Sequence, residues 1–174
     1  MAAPIRATAL TIDIDGVVNN PSNPIVEFLQ AGTYQTELVD RSGVGGFKAW
    51  NIDKDVPASG CDGNGLCTGF GWLNTFRITS NEFGLTDVGD TLRWQTEDLA
   101  FDNRVVGGFT LAFDGNVNFF VSDNISGDNL GGLSVVVTLV PEPGSASLLA
   151  AGLIALALRR PRASSRRVRR ERDR

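Results

Sequence analysis

The segment from Val121 to Gly132 carries the side chains with the clearest chemistry in the chain. It places Asp123, Asp128 and Asn129 among glycines, between two segments that alternate polar and apolar residues. Carboxylate and amide oxygens on such a loop suit Ca²⁺, because this ion takes about six to eight oxygen ligands in an adaptable geometry. The same residue types also close turns by accepting hydrogen bonds from their own backbone. The spacing alone fits a calcium site and a structural loop equally well.

The chain contains no histidine, which excludes most familiar catalytic sites. Without imidazole there is no Ser-His-Asp triad, no Cys-His pair and no histidine-ligated metal. Asp13, Asp15, Asp53 and Asp55 lack the further ligands of a calcium-loop motif, and alternation places Asp13 and Asp15 on the solvent face of a strand. No pair of carboxylates is singled out by its spacing as hydrolytic. We therefore expect a protein that is not an enzyme.

Cys61 and Cys67 are the only cysteines, and several glycines surround them. Two thiolates are too few for a structural zinc site without further soft ligands. The flexible segment between them can close as a small disulfide loop, which would indicate an oxidising compartment. A reduced pair without a role is the alternative.

Residues 10–140 show the alternation of β-strands and little helical periodicity. Leu10, Ile12 and Ile14 alternate with polar residues, and the segments 33–39, 70–79 and 133–139 are rich in residues that favour strands. Many short strands separated by Gly, Asn and Asp turns are typical of a jelly roll or another β-sandwich. We predict an all-β domain of about eight strands over residues 10–140, with 133–139 as a central strand.

A turn motif predicts how two of these strands connect. Asp114-Gly115 stands between two alternating segments, and we predict a β-hairpin there because Asp-Gly is a preferred two-residue turn.

The large aromatic residues are expected in or around the core rather than in a binding stack: Phe47, Trp50, Trp72, Phe76, Phe83, Trp94 and Phe101.

Charge divides unevenly along the chain. Residues 1–140 contain 17 acidic and 7 basic side chains, whereas residues 159–174 contain nine arginines and two acidic residues. The net charge of −4 conceals this division. The acidic body is expected to repel nucleic acid, so no nucleic-acid partner is predicted.

An uncharged segment of 14 residues, Ser145–Leu158, precedes the arginines. As a helix it would be about 21 Å long, shorter than the hydrocarbon core of about 30 Å, and therefore a poor permanent anchor. The arginines should stay on the cytoplasmic side, because moving them across the membrane is costly. This orientation places residues 1–140 outside the cytoplasmic membrane.

The order of short motif, apolar helix and basic cluster resembles the PEP-CTERM sorting signal that exosortases recognise. The resemblance covers residues 141–162, with the motif and cluster at Pro141, Glu142, Pro143, Arg159, Arg160 and Arg162. It implies that an exosortase-like membrane enzyme cuts near the motif and discards the helix 145–158, as in glycolipid anchoring. Residues 163–174 extend beyond such signals and are expected to form a basic disordered tail. An ordinary tail anchor is the alternative.

The other end of the chain fits export only in part. A signal peptide needs an apolar run, which residues 1–9 lack, but they end in Ala7-Thr8-Ala9, a small-x-small cleavage pattern. We expect residues 1–9 to be the remnant of a signal peptide that begins upstream of Met1.

Three short segments of the body resemble the small calcium-dependent galactose-binding lectins of bacteria, which are jelly rolls. The segments are 28–34, the cysteine loop with residues 69–73, and the loop from Asp123 into 132–135. The resemblance implies a calcium site in which Asp123, Asp128 and Asn129 supply side chains and Tyr34 supplies its carbonyl. The loop here is shorter than in those lectins, and their sugar-contacting histidine has no counterpart, which leaves sugar specificity open.

Together these observations predict an exported, non-enzymatic module that binds Ca²⁺ and carbohydrate at the cell surface or in the extracellular matrix. Its expected partners are an exosortase-like enzyme, extracellular polysaccharide, and the membrane through the C-terminal helix before processing. A structural matrix protein without a specific ligand, whose acidic surface bridges cations, is the second interpretation. A hydrolase is the third.

Overall fold

Two antiparallel β-sheets enclose a common core in residues 9–141, the part of the chain that this computed structural model describes. The all-β prediction is therefore confirmed. The predicted signal-peptide remnant lies outside the described residues except for Ala9. The sorting motif beyond Pro141, the helix 145–158 and the tail 163–174 also lie outside them.

The first sheet is built around one long central strand. Strand β12 (Leu130–Val140) pairs with β1 (Ala9–Asp15) on one side and with β3 (Gly32–Leu38) on the other, and β3 pairs with β10 (Gly107–Leu111). The β-branched segment 133–139 thus lies at the centre of a sheet, as predicted.

The second sheet has the strand order β2-β11-β7-β8. Its strands are β2 (Ile25–Leu29), β7 (Phe76–Ser80), β8 (Thr86–Val88) and β11 (Gly115–Phe120). With the four strands above, eight strands of three or more residues form the two faces, close to the number expected from the sequence.

Short elements extend the first sheet beyond the beginning of β12. They are β4 (Trp50–Asn51), β5 (Leu66–Cys67), β6 (Trp72–Leu73) and β9 (Arg93–Trp94). They continue the sheet in the order β4-β6-β9-β5. The helix α1 (Glu97–Asp102) packs against β6 and β9, and two 3₁₀ turns lie at Ser42–Val44 and Ser126–Asp128.

The core contains the inward residues of both sheets. Ile12 and Ile14 stand opposite Val135 and Leu133 in the first sheet, and all four are buried. Phe119 of β11 is fully buried and packs edge-on against Phe109 of β10, whose ring centroid is 6.4 Å away. The seven aromatic residues named above are buried or half-buried, which confirms the core or rim assignment.

The predicted hairpin at Asp114-Gly115 is wrong. Strands β10 and β11 do not pair with each other, because β10 pairs with β3 in the first sheet and β11 pairs with β2 and β7 in the second. The turn therefore carries the chain from one sheet to the other. The Asp114 carboxylate also accepts a hydrogen bond from the Ala31 backbone N–H, at 2.7 Å, and so ties this crossing to the β2–β3 turn.

Helix α1 and strand β2 were not predicted. The helix has only six residues, which is too short to show a period in the sequence. Its first turn is capped by the Thr96 hydroxyl, which accepts from the Leu99 N–H at 3.2 Å. No helix within residues 9–141 is long and apolar enough to cross a membrane.

Candidate binding pocket

A pocket of about 560 Å³ lies where the short strands meet the loop between β11 and β12. Strands β4, β6, β7, β8 and β9 contribute to its lining, together with residues 122–125 and Asp128 of that loop. The volume falls in the range of small-molecule sites, which is about 300 to 1,000 Å³. The pocket therefore has the size of a site for one or two sugar rings or a comparable ligand.

The floor and one side of the pocket are apolar. Trp50 and Phe76 are each only 2% exposed, and the Trp50 indole donates its Nε1–H to the Thr75 carbonyl at 2.8 Å, which fixes the ring. Phe70 and Leu73 complete this side, with Phe70 half-buried. Of the three aromatic residues in the lining, Phe70 keeps the most accessible surface for contact with a ligand.

Three aspartates form an acidic wall on the loops around the pocket. Asp123 and Asp53 each use Oδ1 to accept one local backbone N–H, from Ile125 at 2.5 Å and from Asp55 at 2.9 Å. Asp128 belongs to the same wall, and its carbonyl accepts from the Lys54 N–H at 2.7 Å. That bond holds the two acidic loops together.

Asp128 differs from the other two in its hydrogen bonding. Its Oδ1 atom is buried and has no hydrogen-bond donor among the described residues. A buried acceptor that has lost water without gaining a donor is unfavourable, by about 1 to 3 kcal/mol. This oxygen has almost no accessible surface, so it is not open to a ligand in the pocket.

Two arginines, one in β7 and one in β9, also line the pocket. Arg77 of β7 forms an ion pair with Asp87 of β8, with 2.6 Å between Nε and Oδ1. Arg93 of β9 donates from Nη1 to the Gly69 carbonyl at 2.7 Å, and it has no ion-pair partner within residues 9–141. The pocket lining thus contains both hydrogen-bond acceptors and hydrogen-bond donors.

The structure brings only two of the four predicted calcium ligands into this pocket. Asp123 and Asp128 line it, whereas Asn129 does not. Asn129 is only 2% exposed, and its Nδ2 donates to the Gly16 carbonyl at 2.7 Å, next to the end of β1. Its Oδ1 is buried without a donor among the described residues.

Tyr34 is far from the other three residues. It lies in β3 opposite Leu139, near the end of β12, whereas Asp128 and Asn129 immediately precede the beginning of that strand. At about 3.3 Å per residue the separation is about 30 Å. Tyr34 is buried in the core, stacks on Phe109, and donates from its hydroxyl to the Gln30 carbonyl at 2.8 Å. Burial raises the pKa of this phenol.

The predicted calcium site therefore does not assemble in the described residues. Its carbonyl ligand is at the other end of the sheet, and no three Asp, Glu, His or Cys residues within 9–141 are grouped closely enough to hold a metal ion. Calcium needs about six to eight oxygens around one point, and Asp123 and Asp128 alone do not provide them. The four residues named from the sequence are therefore not gathered around one point.

A disulfide joins Cys61 and Cys67 and closes a small loop beside the short strands. The two residues also form an isolated antiparallel bridge. Within the loop, the Asp62 carboxylate accepts from the N–H groups of Asn64 and Leu66, both at 2.9 Å. Strand β5 ends at Cys67 and pairs with β9, so the loop supports the strand that carries Arg93.

A second group of charges, outside the pocket, connects the segment before β4 to α1. The Lys48 ammonium lies 2.6 Å from Asp98 and 3.1 Å from Asp40, and these hydrogen bonds, the one from Asp98 first, raise its pKa. Hydrogen bonds from Ser42 and then Lys48 lower the pKa of Asp40, whereas burial raises the pKa of Glu97. Asp13, predicted on the solvent face of its strand, is half-buried and paired with Arg41 at 2.6 Å.

Several pocket residues were not found by sequence reasoning. Asp53 was set aside because no further ligands follow it. Phe70 and Arg77 lie in the strand-like segment 70–79, and Phe70 also lies in the segment 69–73 that carries the lectin resemblance, but neither was assigned a role in a site. Arg93 lies in no segment that was predicted as a strand. They meet only because β6, β7 and β9 converge near the β11–β12 loop. Strand alternation can place such residues on a face, but it does not show which strands are neighbours.

No known protein family, characterised protein or solved structure is similar enough to this chain to count as a match.

Proposed function

We propose that this chain is an exported protein whose β-sandwich is a non-enzymatic carbohydrate-binding module, with the sugar held in the pocket described above. The observation that carries the proposal is the composition of that pocket. Its lining combines a half-buried aromatic residue, Phe70, with carboxylate acceptors and guanidinium donors.

This arrangement suits the chemistry of a sugar ring. Each hydroxyl both donates and accepts hydrogen bonds, and the carboxylates of Asp53, Asp123 and Asp128 accept from hydroxyl groups, whereas Arg93 donates to hydroxyl or ring oxygens. The C–H faces of the ring are apolar and can pack against Phe70. The proposal does not depend on calcium, because Tyr34 lies far from Asp128 and Asn129.

Export and sorting rest on the C-terminal segment. The resemblance of residues 141–162 to a PEP-CTERM signal supports processing by an exosortase-like enzyme, followed by display on the cell surface or release into the extracellular matrix. A disulfide between Cys61 and Cys67 agrees with an oxidising compartment.

The binding proposal is tested by screening the full-length chain against a glycan array, in a detergent that has no sugar head group. We expect at least one glycan to bind, and Phe70→Ala and Asp123→Asn to weaken that binding tenfold or more. Asp102→Asn, on the exposed side of α1 outside the pocket, is the control with the same charge change. The proposal fails if no glycan binds, or if all three variants bind as the wild type does.

The sorting proposal is tested in cells that express an exosortase. We expect the exported form to end near Pro141–Pro143 by mass spectrometry, and a variant with alanine at Pro141, Glu142 and Pro143 to remain uncut in the membrane fraction. An uncut wild-type chain in the same cells would contradict it.

A structural matrix protein is the second candidate, favoured by the acidic body with 17 acidic and 7 basic residues in 1–140. It predicts cation-dependent association with anionic polymer without dependence on any pocket residue. The Phe70→Ala variant separates the two candidates, because only the first requires that side chain.

A further inference from the structure

We infer that the end of the β-sandwich at which β12 finishes docks onto the lipid surface while the chain is anchored, before processing. This region, here called the apolar end, consists of the loops 30–31, 81–85 and 112–114 together with Phe28 and Val140. The inference rests on the proposed function, because it takes residues 145–158 to enter the membrane.

Hydrogen bonds from backbone to carboxylate hold the three loops of the apolar end together. The Glu82 carboxylate accepts from the N–H groups of Ala112 and Phe113, at 2.6 and 2.8 Å. The Asp114 carboxylate accepts from the Ala31 N–H, at 2.7 Å. The β7–β8 and β2–β3 connections are therefore both tied to the crossing between β10 and β11.

Strand β12 ends beside these loops. Its last residue, Val140, stands opposite Thr33 of β3, and Thr33 stands opposite Thr110 of β10, with 3.2 Å between the two threonine hydroxyls. Strand β10 continues directly into the loop 112–114. Two strand spacings, about 10 Å, thus separate the end of β12 from the strand that enters this loop.

The apolar end exposes four large apolar side chains. Phe113 and Phe28 are 73% and 68% exposed, and Leu85 and Val140 are also exposed. Phe28 stands opposite Asn116, and Asn116 lines a cavity of about 210 Å³ together with Phe113. Exposed apolar side chains that cluster at one site mark a surface of interaction with a protein or a membrane.

The sequence after β12 identifies lipid as the partner. Only residues 141–144 separate Val140 from the uncharged segment 145–158. Five residue steps span at most about 18 Å, so the apolar end stays within that distance of the point where the chain enters the bilayer. Phe and Leu side chains enter the boundary between headgroups and acyl chains readily. A short tether gives an effective concentration of the order of mM, so a few such side chains suffice.

The charges of the apolar end favour a zwitterionic surface. Its three loops contain no Lys or Arg, and the carboxylates of Glu82 and Asp114 already accept backbone N–H groups. Anionic lipid would repel these carboxylates, most strongly at low salt. The binding pocket lies near the beginning of β12, about 30 Å from its end, so docking leaves the pocket open to a ligand.

The test places a fluorophore at the apolar end of the full-length chain in phosphatidylcholine vesicles. Gln30→Cys, at an exposed position, provides one free thiol, because Cys61 and Cys67 are joined in a disulfide. We expect lipids that carry a nitroxide on the acyl chain to quench a label at this thiol, and iodide in the water to quench it weakly.

Matched variants show whether apolar side chains cause the docking. Leu85→Ser with Phe113→Ser should raise quenching by iodide about threefold, because few contacts hold the docked state. Val17→Ser with Val18→Ser changes two exposed apolar residues in the β1–β2 connection and should leave the quenching unchanged. A label at Gly127→Cys, near the pocket, should be quenched by iodide alone. Partial replacement of the lipid by phosphatidylglycerol should weaken quenching by lipid at residue 30.

Flotation with the vesicles separates this inference from the proposed function. A chain that floats with its residue 30 label quenched by iodide alone would overturn docking and leave the anchored precursor in place. Equal quenching by lipid in the wild type and in Leu85→Ser with Phe113→Ser would also overturn it, because the tether alone would then bring the label to the lipid. A chain that does not float would remove the anchored precursor and this inference with it.

Two further results would assign the apolar end to another contact. Protection from iodide without quenching by lipid, together with energy transfer between labels on different chains, would mean that a second copy covers it. Docking that becomes stronger with phosphatidylglycerol would mean that basic residues elsewhere make the contact. Either result would overturn the inference.

Discussion

At the scale of single residues, two neighbours show how strongly position controls chemistry. Asp128 and Asn129 are adjacent and were predicted to bind one ion together, yet Asp128 lines the pocket and Asn129 packs beside Gly16. Asp128 is the last residue of the 3₁₀ turn Ser126–Asp128, whereas Asn129 is already extended and leads into β12, so the backbone conformation changes between the two residues. The two side chains therefore lie in different environments, one at the pocket and one packed beside the end of β1.

Calcium provides a direct test of this separation. We expect the melting temperature of the full-length chain to be the same in millimolar Ca²⁺ and in excess chelator, because a ligand that does not bind the folded state cannot stabilise it. Differential scanning fluorimetry measures both. If Ca²⁺ raises the melting temperature of the wild type but not that of Asp128→Ala, the folded chain binds calcium through Asp128 and the expectation is wrong.

Glu97 predicts a dependence of stability on pH. Burial raises its pKa above the ordinary 4.5, so the folded state favours the protonated form and loses stability as pH rises through the raised pKa. Glu97→Gln resembles the protonated form. We therefore expect it to be more stable than the wild type at pH 7 and equal to it well below pH 4.5.

Urea unfolding at the two pH values measures this difference, with Glu37→Gln on the exposed side of β3 as the control. A wild type that is more stable than Glu97→Gln at pH 7 would mean that the attraction of Lys48 outweighs burial.

At the scale of elements, the beginning of β12 is held by the close approach of its backbone to that of β4. Gly131 has φ of +76°, and it pairs with Trp50 of β4. This pairing holds the acidic loop against the aromatic side of the pocket. Glycine is required there because other residues are strained in the left-handed region.

Gly131→Ala is expected to destabilise the fold by about 2 kcal/mol or more, from the unfavourable φ and a steric clash. A Cβ atom at this position would lie 2.5 Å from the Ala49 carbonyl oxygen. Gly127→Ala is the matched control, since no heavy atom lies within 4 Å of its Cβ position and its φ is not positive. Chemical denaturation compares the two, and equal free energies of unfolding would refute the argument.

The disulfide loop is the second element with a measurable role. Replacing both cysteines by serine should lower the free energy of unfolding by about 2 kcal/mol, because the loop is short and constrains the unfolded chain only moderately. If the disulfide positions β5 and, through β5, Arg93, the double cysteine variant should lose more sugar affinity than Asp62→Ala does. Unchanged stability and affinity would show that the loop is dispensable.

At the scale of the whole molecule, one core joins the two sheets. Leu133 of the first sheet is fully buried in the same cluster as Val117, Phe119 and Ile78 of the second. Because the sheets share their apolar contacts, neither sheet is expected to remain folded without the other.

Leu133→Ala should therefore cost about 2 to 5 kcal/mol, the usual range for a buried leucine. Leu130→Ala changes the same residue type in the same strand, where the side chain is 44% exposed, and should cost about 0.5 kcal/mol or less. Tryptophan fluorescence and far-ultraviolet circular dichroism should report one coincident transition for each variant. Two separate transitions would show that the sheets unfold independently.

The sequence by itself determined the fold class, the strands with the clearest alternation and the residues of the core. Segment 10–14 alternates apolar and polar residues, as a strand with one buried face does, and segment 133–139 is rich in β-branched residues. The large aromatic residues are apolar enough to be enclosed by any fold of this chain. These properties depend on local geometry and on the removal of apolar surface from water, and both are present in the order of residues.

Only the tertiary structure decided which strands became neighbours, and with them the site. The Asp114-Gly115 turn has the same local chemistry in a hairpin and in a crossing between sheets, so the pairing of β10 with β3 was not readable from it. Tyr34 was separated from Asp128 by the register of β3 on β12, whereas Phe70 and Arg93 were brought to Asp123 across long stretches of chain. Strand pairing is a long-range choice set by the packing of the whole core, and no short segment contains that information.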